Sequence, residues 1–138
     1  DFTVFGKHHD KLEYIKAHGI RTHFITEPNP VFYDIVIEAS GSPDGFYTAL
    51  SIVRPKGTLI LKSTYAGEIS FNPAPIVINE ISVLGSRCGR FKPAIKFLVD
   101  RKPDFSYLVE KEYSLDNALE AFNHACRKGA KKVVVDMI

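Results

Sequence analysis

The sequence predicts a layered α/β fold built on a parallel sheet, and two observations lead to this prediction. Strand-like and helix-like patterns alternate along the 138 residues. In the segment from Asp34 to Ser63, a strand, a helix and a second strand follow one another closely, which is typical of a right-handed crossover with parallel strands. The content of 45% hydrophobic and 25% charged residues is that of an ordinary soluble domain with a core.

The central segment has clear local signals. Asp34 to Ala39 form an apolar block, which predicts a strand buried on both faces. Ser42 is a suitable helix N-cap, and Pro43 suits the first helical position because its missing N–H costs nothing there. Pro55 should end this helix before a second apolar strand from Gly57 to Leu61. The helix has one apolar face, formed by Phe46, Ala49, Leu50 and Val53.

The residues before this segment predict a further strand, helix and strand. A β-rich run from Phe2 to Phe5 is closed by Gly6, and a helix follows from about Asp10 to Ala17, with Gly19 at its C-terminal cap. A weak strand is predicted from His23 to Thr26. Together with the central segment, these elements give the α/β alternation.

The residues after the central segment continue the pattern. We predict a loop from Tyr65 to Pro75, one or two helical turns from Ile76 to Asn79, a strand from Ile81 to Gly85, and a helix from Arg90 that ends at Pro103. Three parallel strands in this order imply a layered sheet.

The last section changes character. Tyr107 to Tyr113 alternate as an exposed strand does, Ser114 to Asn117 open a helix that Gly129 caps, and Val133 to Val135 form a final strand. A strand, helix and strand at this point often return to another structural unit. We therefore expect one domain over residues 1–104 and a segment of a neighbouring domain over residues 105–138.

Composition argues against several other classes of protein. A net charge of +2 is too small to predict nucleic-acid binding, and no apolar run reaches the roughly 20 residues that span a membrane. Cys88 and Cys126 belong to no CxxC motif, and they are expected to be reduced thiols of a cytoplasmic protein. His8, His9 and His23 lack the spacing of metal ligands.

Four motifs occur in a particular order. They are EASG from Glu38 to Gly41, the adjacent TALSIVRPKGTLIL, LGSRCG from Leu84 to Gly89, and SLDNALEAFNHACRKGAKKVVV near the end. In this order and spacing, they resemble the C-terminal, cofactor-binding part of the medium-chain dehydrogenase/reductase family, nearest its zinc-dependent alcohol, polyol and threonine dehydrogenase branch. The resemblance covers nearly the whole chain.

The resemblance implies a doubly wound, mostly parallel Rossmann-type sheet that binds NAD or NADP at the carboxyl ends of its strands. Gly6 ends the strand at which NAD-preferring members place an acidic residue against the ribose. Lys7, His8 and His9 follow instead and could accept a 2′-phosphate, which favours NADP. The same three residues also suit the solvated start of a helix.

Further cofactor contacts are implied at the turns after the later strands and at one basic residue near the end. These positions are Ala39, Ser40, Gly41, Ser63, Thr64, Tyr65, Gly85, Ser86, Arg87 and Lys132. Lys132 is equally compatible with plain solvated surface. Glu38, at a strand end, could be a buried base, although such a residue is more often held by hydrogen bonds to neighbouring backbone.

The sequence also departs from the family. The glycine-rich turn for the pyrophosphate and the ligands of the catalytic zinc are absent, so we expect part of a longer enzyme, inactive alone, whose zinc binds in the N-terminal half. The enzyme would pass a hydride between the dinucleotide and a small-molecule alcohol or carbonyl compound. The alternative is a non-catalytic module that binds a nucleotide or mediates dimerisation.

The sheet is also expected to lack its first strand. In the strand order 3-2-1-4-5-6 this strand lies at the centre, so its two neighbours would either pair directly or accept a strand from another copy. The C-terminal strand, helix and strand would return towards the catalytic domain. In the family, the strand from Ile81 to Gly85 pairs with its copy across a two-fold axis, which implies a homodimer.

Overall fold

A computed structural model describes residues 1–64, 67–127 and 129–137. In these residues the strands are β1 (Thr3–Gly6), β2 (Arg21–Phe24), β3 (Tyr33–Glu38), β4 (Val53–Leu61), β5 (Ser82–Gly85), β6 (Val109–Ser114) and β7 (Lys132–Asp136). The α-helices are α1 (His9–Ala17), α2 (Pro43–Ile52), α3 (Ala74–Ile78), α4 (Phe91–Arg101) and α5 (Ala118–Ala125). None of the helices in this part of the chain is long and apolar enough to cross a membrane.

The chain divides into two compact units, Asp1–Cys88 and Gly89–Ile138. The sequence predicted a division after residue 104, whereas α4 groups with the second unit. The assignment of residues 105–138 to a neighbouring domain of a longer protein stays a prediction.

The first unit contains two parallel sheets. Strand β1 pairs with β2, and a three-stranded sheet has the order β3, β4, β5. Strands and helices alternate as the sequence predicted, and the predicted α/β class is confirmed. Several boundaries differ from the prediction, most by one or two residues: for example, β2 begins at Arg21, α3 begins at Ala74, and β1 extends through Gly6.

The two sheets of the first unit do not pair with each other within the described residues. The hypothesis that β1 and β3 pair directly is therefore wrong. A cavity of about 590 Å³ is lined by residues of both strands, among them Val4 of β1 and Val36 of β3. The sheets approach each other where the Phe5 ring meets the edge of the Tyr33 ring, with 5.6 Å between centroids. That another copy inserts a strand here stays a prediction.

Helix α2 is the main packing element of this unit. Its N-cap is Ser42, as predicted, whose hydroxyl accepts a hydrogen bond from the Gly45 N–H at 3.3 Å. The side chains of α2 pack on β3 and β4, and Leu59 of β4 is fully buried beneath the helix. The buried core consists of Val36, Phe46, Ala49, Ile52, Val53, Leu59 and Ile81.

One predicted helical residue belongs to a strand. The sequence placed Val53 on the apolar face of the helix, but α2 ends at Ile52 and Val53 begins β4. The reason is Pro55, which disfavours helical backbone at the residue before it and forces an early exit. Gly57 then brings β4 close to β3, since a Cβ there would lie 3.0 Å from the Asp34 carbonyl oxygen. Val53 remains buried, so its predicted role in the core is kept.

After α4, the second unit continues as a strand, a helix and a strand, as the sequence predicted. Strand β6 runs parallel to β7, and α5 packs on both. His124 of α5 is buried, and its ring nitrogens lie 3.0 Å from the Tyr113 hydroxyl and 3.1 Å from the Glu110 carboxylate. The Lys131 N–H also donates to Glu110 at 2.7 Å, so this polar group ties the helix to both strands.

We predict that Phe46→Ala lowers the free energy of unfolding by about 3–5 kcal/mol, because it removes a core ring and leaves a cavity. Phe46 is 4% exposed and stacks edge-on with Phe71. The matched control is Phe32→Ala, since Phe32 is 62% exposed and its loss should change stability by less than about 0.5 kcal/mol. Urea denaturation measures both, and equal losses for the two variants would contradict this account of the core.

Candidate functional site

The candidate site lies at the carboxyl end of the three-stranded sheet. The register places Glu38 of β3 opposite Leu61 of β4, and Leu61 opposite Gly85 of β5. The three strands therefore end at the same level, and the turns that follow them lie at one edge, which is where open parallel sheets bind ligands. Backbone hydrogen bonds continue one residue further, from Lys62 N–H to the Glu38 carbonyl and from Ser86 N–H to the Leu61 carbonyl, each 2.9 Å.

A buried carboxylate organises the first of these turns. Glu38 is 3% exposed. Its Oε1 accepts hydrogen bonds from the Ser40 N–H and the Ser40 hydroxyl, both at 2.6 Å, and from the Ser63 hydroxyl at 3.3 Å. The Gly41 N–H in turn donates to the Ser63 hydroxyl at 2.9 Å. The turn after β3 and the end of β4 are thus joined through one carboxylate oxygen.

Hydrogen bonds determine the protonation of this carboxylate. Burial alone would raise the pKa of Glu38, but hydrogen bonds from Ser40, Ser63 and the Gly41 backbone outweigh burial, so the pKa of Glu38 lies below its ordinary value. A carboxylate held in this way is a weak base. Of the two interpretations given by the sequence, the structure supports the one in which neighbouring groups hold Glu38 by hydrogen bonds.

Lys62 joins the turn after β5 to the same edge, and sequence reasoning missed this residue. Its ammonium donates to the carbonyl of Arg87 and lies 3.5 Å from the Ser86 hydroxyl. The available signal was its position directly after the apolar run that ends at Leu61. A lysine at this position can reach the end of the next strand, whereas the predicted contacts after β4 began at Ser63.

The backbone at two predicted positions is open to a ligand. Gly41 has a φ of +70°, a left-handed conformation that glycine adopts without strain. No described atom lies within 4 Å of the point that a Cβ would occupy at Gly41 or at Gly85. Side chains there would fill space that a bound molecule could use. Hydroxyl and N–H donors beside open backbone suit a polar, phosphate-containing ligand such as a dinucleotide.

Strand β1 ends at Gly6 in its own sheet. A Cβ at Gly6 would lie 3.0 Å from the Leu12 side chain, so helix α1 crosses close above this strand end. Lys7 is exposed. His8 precedes α1, and its carbonyl accepts the Leu12 N–H at 3.1 Å. His9 stacks on Phe24 with 3.9 Å between centroids, so its ring is engaged in packing.

The remaining predicted cofactor-binding residues lie in different parts of the chain, and one of them is outside the described residues. Thr64, Ser86 and Arg87 are exposed at the strand ends. Lys132 is the first residue of β7, in the second unit, and its contact with a cofactor stays a prediction. Tyr65 lies outside the described residues. In the described part of the chain, no group of three or more side chains is placed to hold a metal ion.

Comparison with known proteins gives the family. The family model described as zinc-binding dehydrogenase matches residues 3–100. Sorbitol dehydrogenase from Halalkalibacterium halodurans is 34% identical over 110 residues, which cover 76% of this chain and 32% of that protein. The chain therefore spans about a third of the length of this curated relative.

Solved structures show the same fold. L-idonate 5-dehydrogenase from Escherichia coli superposes with a TM-score of 0.83 at 21% identity, over 97% of this chain and 42% of that chain. TarJ from S. aureus, solved in complex with NADPH, gives a TM-score of 0.86 at 19% identity, over 99% of this chain and 47% of that chain. The predicted Rossmann-like architecture and the resemblance drawn from the four motifs are confirmed, and the chain belongs to the zinc-binding dehydrogenase family.

Proposed function

We propose that this chain is the dinucleotide-binding part of a longer oxidoreductase that transfers a hydride between NAD(P) and an alcohol, polyol or carbonyl compound. One observation supports this above the others: the turns Ala39–Gly41 and Gly85–Arg87 lie at one edge of a parallel sheet, with open backbone at Gly41 and Gly85. This is the edge at which folds of this class bind nucleotides. The sorbitol dehydrogenase relative indicates a polyol as the substrate class.

In the proposed enzyme, the residues of this chain bind the cofactor, and residues outside the chain bind the zinc. Lys132 would contact the pyrophosphate. Backbone and hydroxyl groups at the strand ends would orient the cofactor, and these belong to Gly6, Ala39, Ser40, Gly41, Ser63, Thr64, Gly85, Ser86 and Arg87. The zinc would be held by residues outside this chain, and when bound it supplies a Lewis acid for the substrate oxygen. The exposed Cys88 and Cys126 suit a reducing compartment, and a cytoplasmic location is part of the proposal.

The proposal also includes a preference for NADP over NAD. β1 ends at Gly6, the position at which a carboxylate would pair with the ribose hydroxyls of NAD. Lys7 is exposed directly after the strand end at Gly6, and α1 begins two residues later. A 2′-phosphate at this position would gain a charge-assisted hydrogen bond from Lys7 and lie near the helix N-terminus.

We predict that the chain binds NADPH more tightly than NADH and that Lys7→Ala raises the Kd for NADPH by about tenfold, which corresponds to one charge-assisted contact. The Kd for NADH should change by less than about twofold, because NADH has no 2′-phosphate. Nicotinamide fluorescence during titration measures both. Lys16→Ala is the control, since Lys16 is an exposed lysine of α1 that pairs only weakly with Glu13 at 3.7 Å.

Two results would contradict these proposals separately. If the chain bound neither dinucleotide, the proposed cofactor role would be wrong. If both dinucleotides bound equally and Lys7→Ala changed neither Kd, dinucleotide binding would stand and the NADP preference would be wrong.

A homodimer through β5 is the second part of the proposal. Within the described residues β5 pairs with β4 on one side alone, and its Val83 and Leu84 are 37% and 53% exposed. A free strand edge of this kind can pair with a second copy. This observation also supports the alternative function, a non-catalytic module that dimerises.

We predict that sedimentation equilibrium gives twice the 15.5 kDa of one chain. Leu84→Lys should yield the mass of a single chain, because a lysine at a strand edge opposes edge-to-edge pairing. Ile78→Lys is the control, because Ile78 is an exposed apolar residue of α3 and does not belong to β5. A monomeric wild-type chain, or a Leu84→Lys variant that is still dimeric, would contradict this interface.

A further inference from the structure

The carboxylate of Glu38 is the most deeply buried charge of the first unit. Glu38 is 3% exposed, whereas the side chains that form the ion pairs of this unit are largely exposed. A buried carboxylate is costly unless several donors compensate for its lost hydration. Here one oxygen, Oε1, accepts from three donors that belong to the two segments Ala39–Gly41 and Lys62–Thr64.

The carboxylate also fixes the direction of the neighbouring hydroxyl groups. A carboxylate can only accept, so the Ser63 hydroxyl donates its proton to Glu38. The Ser63 oxygen is then free to accept from the Gly41 N–H, at 2.9 Å. The Ser40 hydroxyl likewise donates to Glu38 and accepts from the Ser42 N–H, at 3.1 Å. With the Ser40 N–H that donates to it directly, the charge of one residue thereby orders two hydroxyls and three backbone N–H groups.

Helix α2 approaches this group closely at Gly45. A Cβ at Gly45 would lie 1.8 Å from the Ser40 hydroxyl oxygen and 3.3 Å from Glu38 Oε1. The first turn of α2 thus packs directly against the hydrogen-bonded pair. The absence of a side chain at Gly45 is a steric requirement of this arrangement, which is evidence independent of the hydrogen bonds.

We propose that Glu38 is a positioning residue that holds the Ala39–Gly41 turn and Ser63 in the geometry that binds the cofactor, before the cofactor arrives. This inference rests on the proposed dinucleotide-binding function and assigns Glu38 a role in it. In this role Glu38 would not itself contact the cofactor. It acts through Ser63, which fixes Gly41, and through Ser40. Preorganisation of this kind raises affinity by removing the entropy cost of ordering the turn on binding.

The first test uses Ser63→Ala, which removes one donor to Glu38 and the hydroxyl that accepts the Gly41 N–H at 2.9 Å. We expect hydrogen exchange at the Gly41 amide, followed by NMR, to be at least about tenfold faster, and the Kd for NADPH to rise by about tenfold. Ser63→Thr keeps the hydroxyl and should restore both values to within about threefold. Ser51→Ala is the control, because the Ser51 hydroxyl donates within α2 at 2.8 Å to the Thr48 carbonyl.

The second test uses Glu38→Gln, with Glu13→Gln as the control on an exposed glutamate of α1. The neutral amide accepts more weakly than the carboxylate, so we expect Gly41 exchange to accelerate and NADPH binding to weaken in the same direction as in Ser63→Ala. Because Glu38→Gln keeps the shape of the side chain, changes in exchange or binding in a folded variant result from the loss of the negative charge.

The negative charge of Glu38 in the wild-type chain also predicts how hydrogen exchange at Gly41 depends on pH. The groups that contact the Glu38 carboxylate are hydroxyls and backbone N–H groups, and the resulting pKa is lowered in the folded state. We therefore compare Gly41 exchange with its intrinsic rate at each pH. Exchange should stay slow above the ordinary pKa of a glutamate carboxyl and become fast as the pH falls through the lowered pKa of Glu38. Glu38→Gln should show no such step.

The outcomes separate this inference from the function on which it rests. Unchanged Gly41 exchange in both variants, or faster exchange with an unchanged Kd, would overturn the positioning role of Glu38. A wild-type chain that fails to bind NADPH would overturn the proposed function and the positioning role together. The exchange rates would then still show whether Glu38 orders the turn in the free chain.

Discussion

The parallel register of β3, β4 and β5 is the constraint on which the candidate site depends. Because Glu38, Leu61 and Gly85 lie side by side, each following turn emerges at the same level of the sheet. A slip of one residue would turn every side chain to the other face and separate these turns. Buried contacts beneath α2, above all those of Leu59, hold this register. The packing that forms the core of this unit therefore also determines the geometry of the site.

Hydrogen bonds of polar side chains then join the strand ends that the register places side by side. Glu38 links the ends of β3 and β4, and Lys62 links the ends of β4 and β5. The two residues carry opposite charges and act in the same manner, each reaching from its own strand to the next turn. The edge of the sheet is thus ordered by hydrogen bonds that belong to the protein alone, which is the property that a preformed ligand site requires.

Local signals were sufficient for much of the fold. Ser42 and Pro43 mark the start of α2, and the apolar block that ends at Glu38 marks β3, because caps and buried strands depend on nearby residues. Val53 was misplaced because its apolar spacing matches a helix, while Pro55 imposes an extended backbone. The family motifs located the turns of the site. They could not reveal that Lys62 reaches Arg87 or that Ser63 reaches Gly41, since these contacts depend on strand register.

We propose, above all, that the carboxyl edge of the three-stranded sheet is the dinucleotide site. Chemical-shift mapping by NMR during the addition of NADPH tests it most directly, because each backbone amide reports separately. We predict the largest changes at Gly41, Ser63 and Gly85, with little change at Asp34 and Lys56 near the opposite end of the sheet. Changes concentrated at Asp34 and Lys56, or confined to β6 and β7, would contradict it.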